Sequence, residues 1–129
     1  MFLVPLLALQ ASQAPGPEVV VTGERLKRMH DQCKVGGCTP LRDARVSIAW
    51  AEAQFRDGRY VDARRTLAAA VGRNKRNAAT DPKPVAAIYE ACAAVAWQEG
   101  DQDVFRDAVA GRVRTLRAHL PAATVAAAR

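Results

Sequence analysis

Two thiols, Cys33 and Cys38, stand five positions apart on either side of Lys-Val-Gly-Gly, with His30 and Asp31 just before them. The Gly-Gly pair lets the chain close on itself, so in an oxidising compartment this spacing predicts a Cys33–Cys38 disulfide. His30, Cys33, Cys38 and Asp31 would be the donors of an alternative metal site. Their spacing matches none of the usual zinc signatures, and no metal is expected. Neither Cys-x-x-Cys-His nor Cys-x-x-Cys occurs, so covalent haem and a redox dithiol are not expected either. Cys92 falls in the middle of an apolar helical face, where a core thiol is the expectation rather than a reactive or dimer-forming one. His119 is placed near the end of the last helix, where its cationic form would complement the helix dipole. No Ser/His/Asp or Cys/His arrangement, carboxylate pair or phosphate-cradling glycine loop stands out. The expectation is a chain without catalytic residues or cofactor.

The elements that carry these residues are set by an internal repeat. Displacing the sequence by 42 residues places Thr39-Pro40 on Asp81-Pro82, Val46 on Ile88, Phe55 on Trp97, Asp57-Gly58 on Glu99-Gly100 and Val71 on Val113. Thr39 and Asp81 are good N-caps, each followed by proline at the first helical position, where a missing N–H costs nothing. Gly58 and Gly100 stand where a helix must end and the chain reverse. Between these marks the apolar residues recur at helical spacing: Val46, Ala49, Trp50, Ala53, then Ala63, Leu67, Ala70, Val71. Val85, Ile88, Cys92, Val95, then Val104, Phe105, Ala108, Val109, Val113 and Leu116 repeat the pattern. The polar run Gly72 to Thr80 reads as a loop or frayed helix end. The chain is expected to be all-α, with two stacked antiparallel helix hairpins and an N-terminal capping helix over Glu24 to Cys33. Half of its 129 residues are hydrophobic, many of them alanine, and seven are aromatic, which suits close helix packing. One small domain follows, with a core in which a covalent staple matters.

Residues 1–14, MFLVPLLALQASQA, are uncharged, with an apolar run of about ten residues and small residues at the end, the layout of a signal peptide. Cleavage after Ala14 or after Ala11 both fit, and the run is too short to span a bilayer. Residues 15–23 are expected to form an extended linker, 24–120 the helical domain and 121–129 a frayed tail after Pro121. The stretch Val19-Val20-Val21-Thr22-Gly23-Glu24-Arg25 resembles the segment after the signal peptide of TonB-dependent outer-membrane receptors. That likeness covers seven residues and carries no receptor function with it. The localisation expected from these features is periplasmic.

From Ala51 to Val71 the chain resembles a tetratricopeptide (TPR) repeat. Ala51 takes the small first-helix position, Gly58-Arg59-Tyr60 the turn, Ala63 the second-helix alanine and Leu67 the large apolar site. Ala93 and Gly100 match in the second unit, while Gln102 and Phe105 replace the turn tyrosine and the alanine. Ser47 stands for the usual tryptophan, Gln54 for the tyrosine, and the spacing is 42 residues rather than ~34. The resemblance spans about Pro40 to Arg117. It implies a binding module that holds a protein or peptide on first-helix side chains: Arg45, Ile48, Glu52, Phe55 and Arg56, then Ala87, Glu90, Ala94, Trp97 and Gln98. Phe55 and Trp97 would be its anchors, with Arg45 and Arg56 as carboxylate or phosphate donors; the opposing expectation is that both aromatics are core.

The net charge of +6 comes from nineteen basic residues against thirteen acids. A nucleic-acid partner is not expected on charge alone. Arg64, Arg65, Arg73, Lys75, Arg76, Arg112, Arg114 and Arg117 are the densest basic groups and read as solvated helix faces. The alternative function is that of a basic envelope-surface protein attracted to anionic lipid or another polyanion.

Overall fold

The structure, a computed structural model, describes residues 22–119, and within them every regular element is helical. The elements are α1 (Gly23–Lys34), α2 (Pro40–Arg56), α3 (Tyr60–Asn74), a short 3-10 helix (Lys75–Ala79), α4 (Lys83–Glu99) and α5 (Gln102–His119). The expected signal peptide, residues 15–21 of the linker, the tail 121–129 and the side chain of His119 lie outside the description. None of the described helices is long and apolar enough to cross a membrane.

Local chemistry accounts for the helix ends. Thr22 Oγ1 accepts a hydrogen bond from the Arg25 amide, and Thr39 Oγ1 one from the Arg42 amide, each at 3.2 Å. Gly23, read from sequence as the end of the linker, is therefore the first residue of α1. Gly58 and Gly100 have φ of +80° and +74°, which lets the chain reverse within three and two residues. In α4 the expected start moves by one position. Pro82 is the cap, its carbonyl accepting from the Ala86 amide at 2.9 Å, and Lys83 is the first helical residue. Pro84 then falls in the first turn, where its missing N–H also costs nothing, so the sequence tolerates either start.

Helix α2 carries two apolar stripes. Val46, Ala49, Trp50 and Ala53 pack with Leu26, Met29 and Cys33 of α1, whereas Ala44, Ile48, Ala51 and Phe55 join the main core. At 100° per residue these stripes lie on opposite faces, so α2 is sandwiched between α1 and the rest of the molecule. The main core adds Ala63, Leu67, Ala70 and Val71 of α3 to Ile88 and Val95 of α4. Helix α4 thus rests on the α2–α3 hairpin and pairs with α5. The α4–α5 contact is close: a Cβ on Gly111 would overlap the ring of Tyr89, so α5 needs glycine there.

The region Gly72 to Thr80, expected as a loop or frayed helix end, is a helix end held in place rather than a solvated loop. Helix α3 runs on to Asn74 and the 3-10 turn follows. The cause is Asp43, buried in the first turn of α2. Its Oδ2 accepts from Arg73 Nε and Asn74 Nδ2, and its Oδ1 from Arg73 Nη2, all at 2.9 Å; Ser47 Oγ donates to Oδ1 at 2.8 Å. Polar residues that read as solvated are turned inward, and Arg73 is no part of an exposed basic face. Replacing Arg73 with Leu should destabilise the fold by about 3 kcal/mol, because it strands a buried carboxylate. The double replacement Asp43→Leu/Arg73→Leu should recover most of that loss. Urea unfolding of the three proteins checks this; a single variant as stable as wild type would refute the anchoring role of the pair.

Candidate functional site

Two places gather chemically capable groups. The first is the junction of α1 and α2. Cys33 and Cys38 are disulfide-bonded, with Cα atoms 4.8 Å apart, so neither sulfur is a thiolate ligand of the metal site weighed above. The bond ties the last turn of α1 to the residue before the α2 cap. Between them His30 is buried against Trp50, ring centroids 6.3 Å apart, and its Nε2 has no hydrogen-bond partner. Burial, and then the positive charges of Arg73 and Lys34, hold the imidazole below its usual 6.5, with Asp31 and Asp43 pulling weakly the other way. For Asp43, burial acts to raise the pKa, but the hydrogen bonds from Arg73, Asn74 and Ser47 outweigh it and hold the carboxyl below 3.8.

The second place is the end of the α4–α5 hairpin beside its turn. Trp97 is 69% exposed, the most exposed aromatic of the described residues. Its ring meets Phe105 at 5.3 Å between centroids and 53° between planes. A cavity of about 260 Å³ opens there, lined by Ala96, Trp97, Gly100, Asp101, Gln102 and Phe105. Asp101 Oδ1 caps α5 by accepting from the Val104 amide at 3.1 Å, and its Oδ2 accepts from Arg64 at 3.2 Å. Arg64 also lies 3.4 Å from Glu99 Oε1, an ion pair without hydrogen-bond alignment, since that oxygen has no hydrogen-bond partner.

The residues expected to form a binding face are distributed as follows. Arg45, Glu52 and Arg56 on α2, and Glu90, Ala94 and Gln98 on α4, are exposed; Ile48 and Ala87 are partly covered. Phe55 is half-buried against the main core, with Tyr60 at 4.8 Å. Trp97 instead leans on Phe105. The two expected anchors therefore take opposite states, one core and one surface, and each closes over its own hairpin rather than stacking on the other. Phe105, which the repeat marks as standing in the place of Ala63, and Asp101, which no sequence signal singled out, complete the wall around Trp97. Cys92 is partly buried beside the main core, and burial pushes its thiol up to about 11, leaving little thiolate near neutral pH. Among the basic groups, Arg64 pairs with Glu99 and Asp101, Arg73 with Asp43, and Arg112 with Glu90 at 3.9 Å.

No protein family, characterised protein or solved structure matches the chain.

Two outcomes are expected from the first place. Reducing the disulfide, which closes a loop about six residues long, should cost about 2 kcal/mol of stability by chain entropy, read as a lower urea midpoint in dithiothreitol and absent in a Cys33→Ala/Cys38→Ala protein. Acid should destabilise in two stages. Both His30 and Asp43 have depressed native pKa values, so the unfolded chain takes up each proton first; stability is full above the unfolded values and falls as pH drops below about 6.5 for His30 and below 3.8 for Asp43. In His30→Phe the first stage should vanish from a series of urea midpoints between about pH 7.5 and 5, while the second remains.

Proposed function

We propose that this chain is an exported, non-catalytic binding module of TPR-like type that docks a protein or peptide partner on the outer end of its α4–α5 hairpin, with Trp97 as anchor. One observation supports the reading: the 42-residue repeat gives the two hairpins equivalent faces, and among the described residues only the first is covered. In α2 and α3 that face is Ile48, Phe55, Leu67, Ala70 and Val71, and α4 packs on it. The equivalent residues of α4 and α5 are Glu90, Trp97, Val109, Arg112 and Val113. At its centre Glu90 and Arg112, an exposed ion pair, stand where the first hairpin has Ile48 and Ala70, a pair of side chains suited to contact with water. Trp97 breaks that adaptation. A tryptophan left mostly in water at one rim of an otherwise solvated end face, beside the partly exposed Val109, has the character of a binding hot spot.

The Cys33–Cys38 bond supports an oxidising compartment, and with the expected signal peptide a periplasmic site of action. The reading through charge alone draws less support. Two of its named arginines, Arg64 and Arg73, are engaged with partly or fully buried carboxylates of the chain itself, and Arg112 lies beside the exposed Glu90.

The test is capture from envelope extract by the full chain, compared with Trp97→Ala and with Arg114→Ala/Arg117→Ala, at low salt and at about 1 M, where the Debye length is ~3 Å. A docking surface built on Trp97 predicts a discrete protein retained at high salt. Trp97→Ala should weaken that interaction by about 2 kcal/mol, roughly thirtyfold, and the arginine variant should leave it intact. Retention of mixed anionic material that salt or the arginine variant removes would favour the charge reading.

A further inference from the structure

The surroundings of Trp97 are acidic in a basic protein. A recess that shares Gly100, Asp101 and Gln102 with its cavity is lined also by Arg64, Glu99 and Asp103. Three carboxylates face one guanidinium there, while the whole chain carries +6. Arg64 is already engaged with Glu99 and Asp101, and it is the only cation among the described residues lining either recess. The local excess is two negative charges. At about 260 Å³ the cavity falls just short of the range that takes a drug-sized ligand, a fit for one long side chain rather than a secondary-structure element.

We propose that the pocket lined by Trp97, Phe105 and the α4–α5 turn receives a cationic side chain, an arginine or lysine, of the docked protein partner. Two aromatic rings line this pocket, and Trp is the strongest cation–π partner among the aromatic residues. The carboxylates at the turn supply the long-range attraction and a charge-assisted hydrogen-bond acceptor on approach. An anionic side chain meets the same carboxylates as repulsion, and an apolar one gains the ring contact without the charge. At the first hairpin the equivalent Phe55 packs against the main core and Tyr60, and beside that turn Arg59 pairs with Asp62 at 2.9 Å.

This inference rests on Trp97 being the docking point, and the experiment separates the two ideas. Three nine-residue peptides, identical Gly/Ser sequences with Arg, Leu or Glu at the centre, are titrated into the full ¹⁵N-labelled chain. The readout is the Trp97 indole N–H signal, told apart from that of Trp50 by a Trp97→Phe protein. The Arg peptide should move this signal at a concentration at least tenfold below the Leu and Glu peptides. Asp103→Asn, a change at an exposed first-turn residue of α5, should raise that concentration about threefold at low salt. An equal or stronger response to the Leu peptide would overturn the cation assignment while leaving Trp97 as an apolar docking point. A signal unmoved by all three peptides would overturn the pocket; docking on Trp97 as such would still be decided by capture with Trp97→Ala.

Discussion

The stacking of helices in this protein hangs on one carboxylate. Asp43 sits in the first turn of α2, where the helix dipole favours an anion, and takes hydrogen bonds from Ser47 of its own helix and from Arg73 and Asn74 in the last turn of α3. Burying a lone carboxylate would cost several kcal/mol; here the guanidinium fork and two further donors saturate it. The bonds close one end of the α2–α3 hairpin, and the Gly58 turn with the Phe55–Tyr60 contact closes the other. With both ends fixed, the apolar stripes between them have one relative position, and α4 packs on the surface they make. The same group reaches α1, because the charges of Arg73 and Asp43 are felt at His30, under the disulfide.

What could be seen in the sequence follows from distance along the chain. Helix starts and turns are local: Thr39-Pro40, Gly58 and Gly100 act on their own neighbours, and each does in space what its chemistry implies. The two stripes of α2 were half legible, since Val46, Ala49, Trp50 and Ala53 stand out as a helical face, while Ala44 and Ala51 do not stand out in an alanine-rich chain. Arg73 and Asn74 were misread because their partner is about thirty residues away. A run such as Gly-Arg-Asn-Lys-Arg-Asn looks solvated until something supplies a buried anion. The second hairpin began one residue late because two prolines, Pro82 and Pro84, fit a first turn in either register.

Departures from the resembled repeat pattern were also filled by chemistry that periodicity does not display. Ser47, where a tryptophan is usual, is fully buried and serves as a hydrogen-bond donor to Asp43. Gln54, where a tyrosine is usual, is buried and accepts from Thr66 of α3 at 2.6 Å. At both positions a small or polar side chain makes a hydrogen bond that spans or reinforces the hairpin. Buried polar pairs of this kind are expensive to leave half-made, so they fix the pairing of α2 with α3 more narrowly than alanine contacts alone.

The candidate site was legible only as an equivalence. The repeat places Phe55 and Trp97 at matching positions, but their fates depend on what packs against each, which no local signal records. An aromatic side chain buries at most ~250 Å², so covering the exposed part of Trp97 would contribute at most about 4 kcal/mol at ~25 cal/mol/Å². Association itself costs at least that much in lost freedom of motion. Trp97 alone cannot hold a partner; a stable complex requires further contacts across Val109 and Val113, or charge at the acidic turn. Under the proposed docking Trp97 would orient a partner on a largely solvated face, and the exposed Glu90–Arg112 pair would keep the rest of that face hydrated in the free protein.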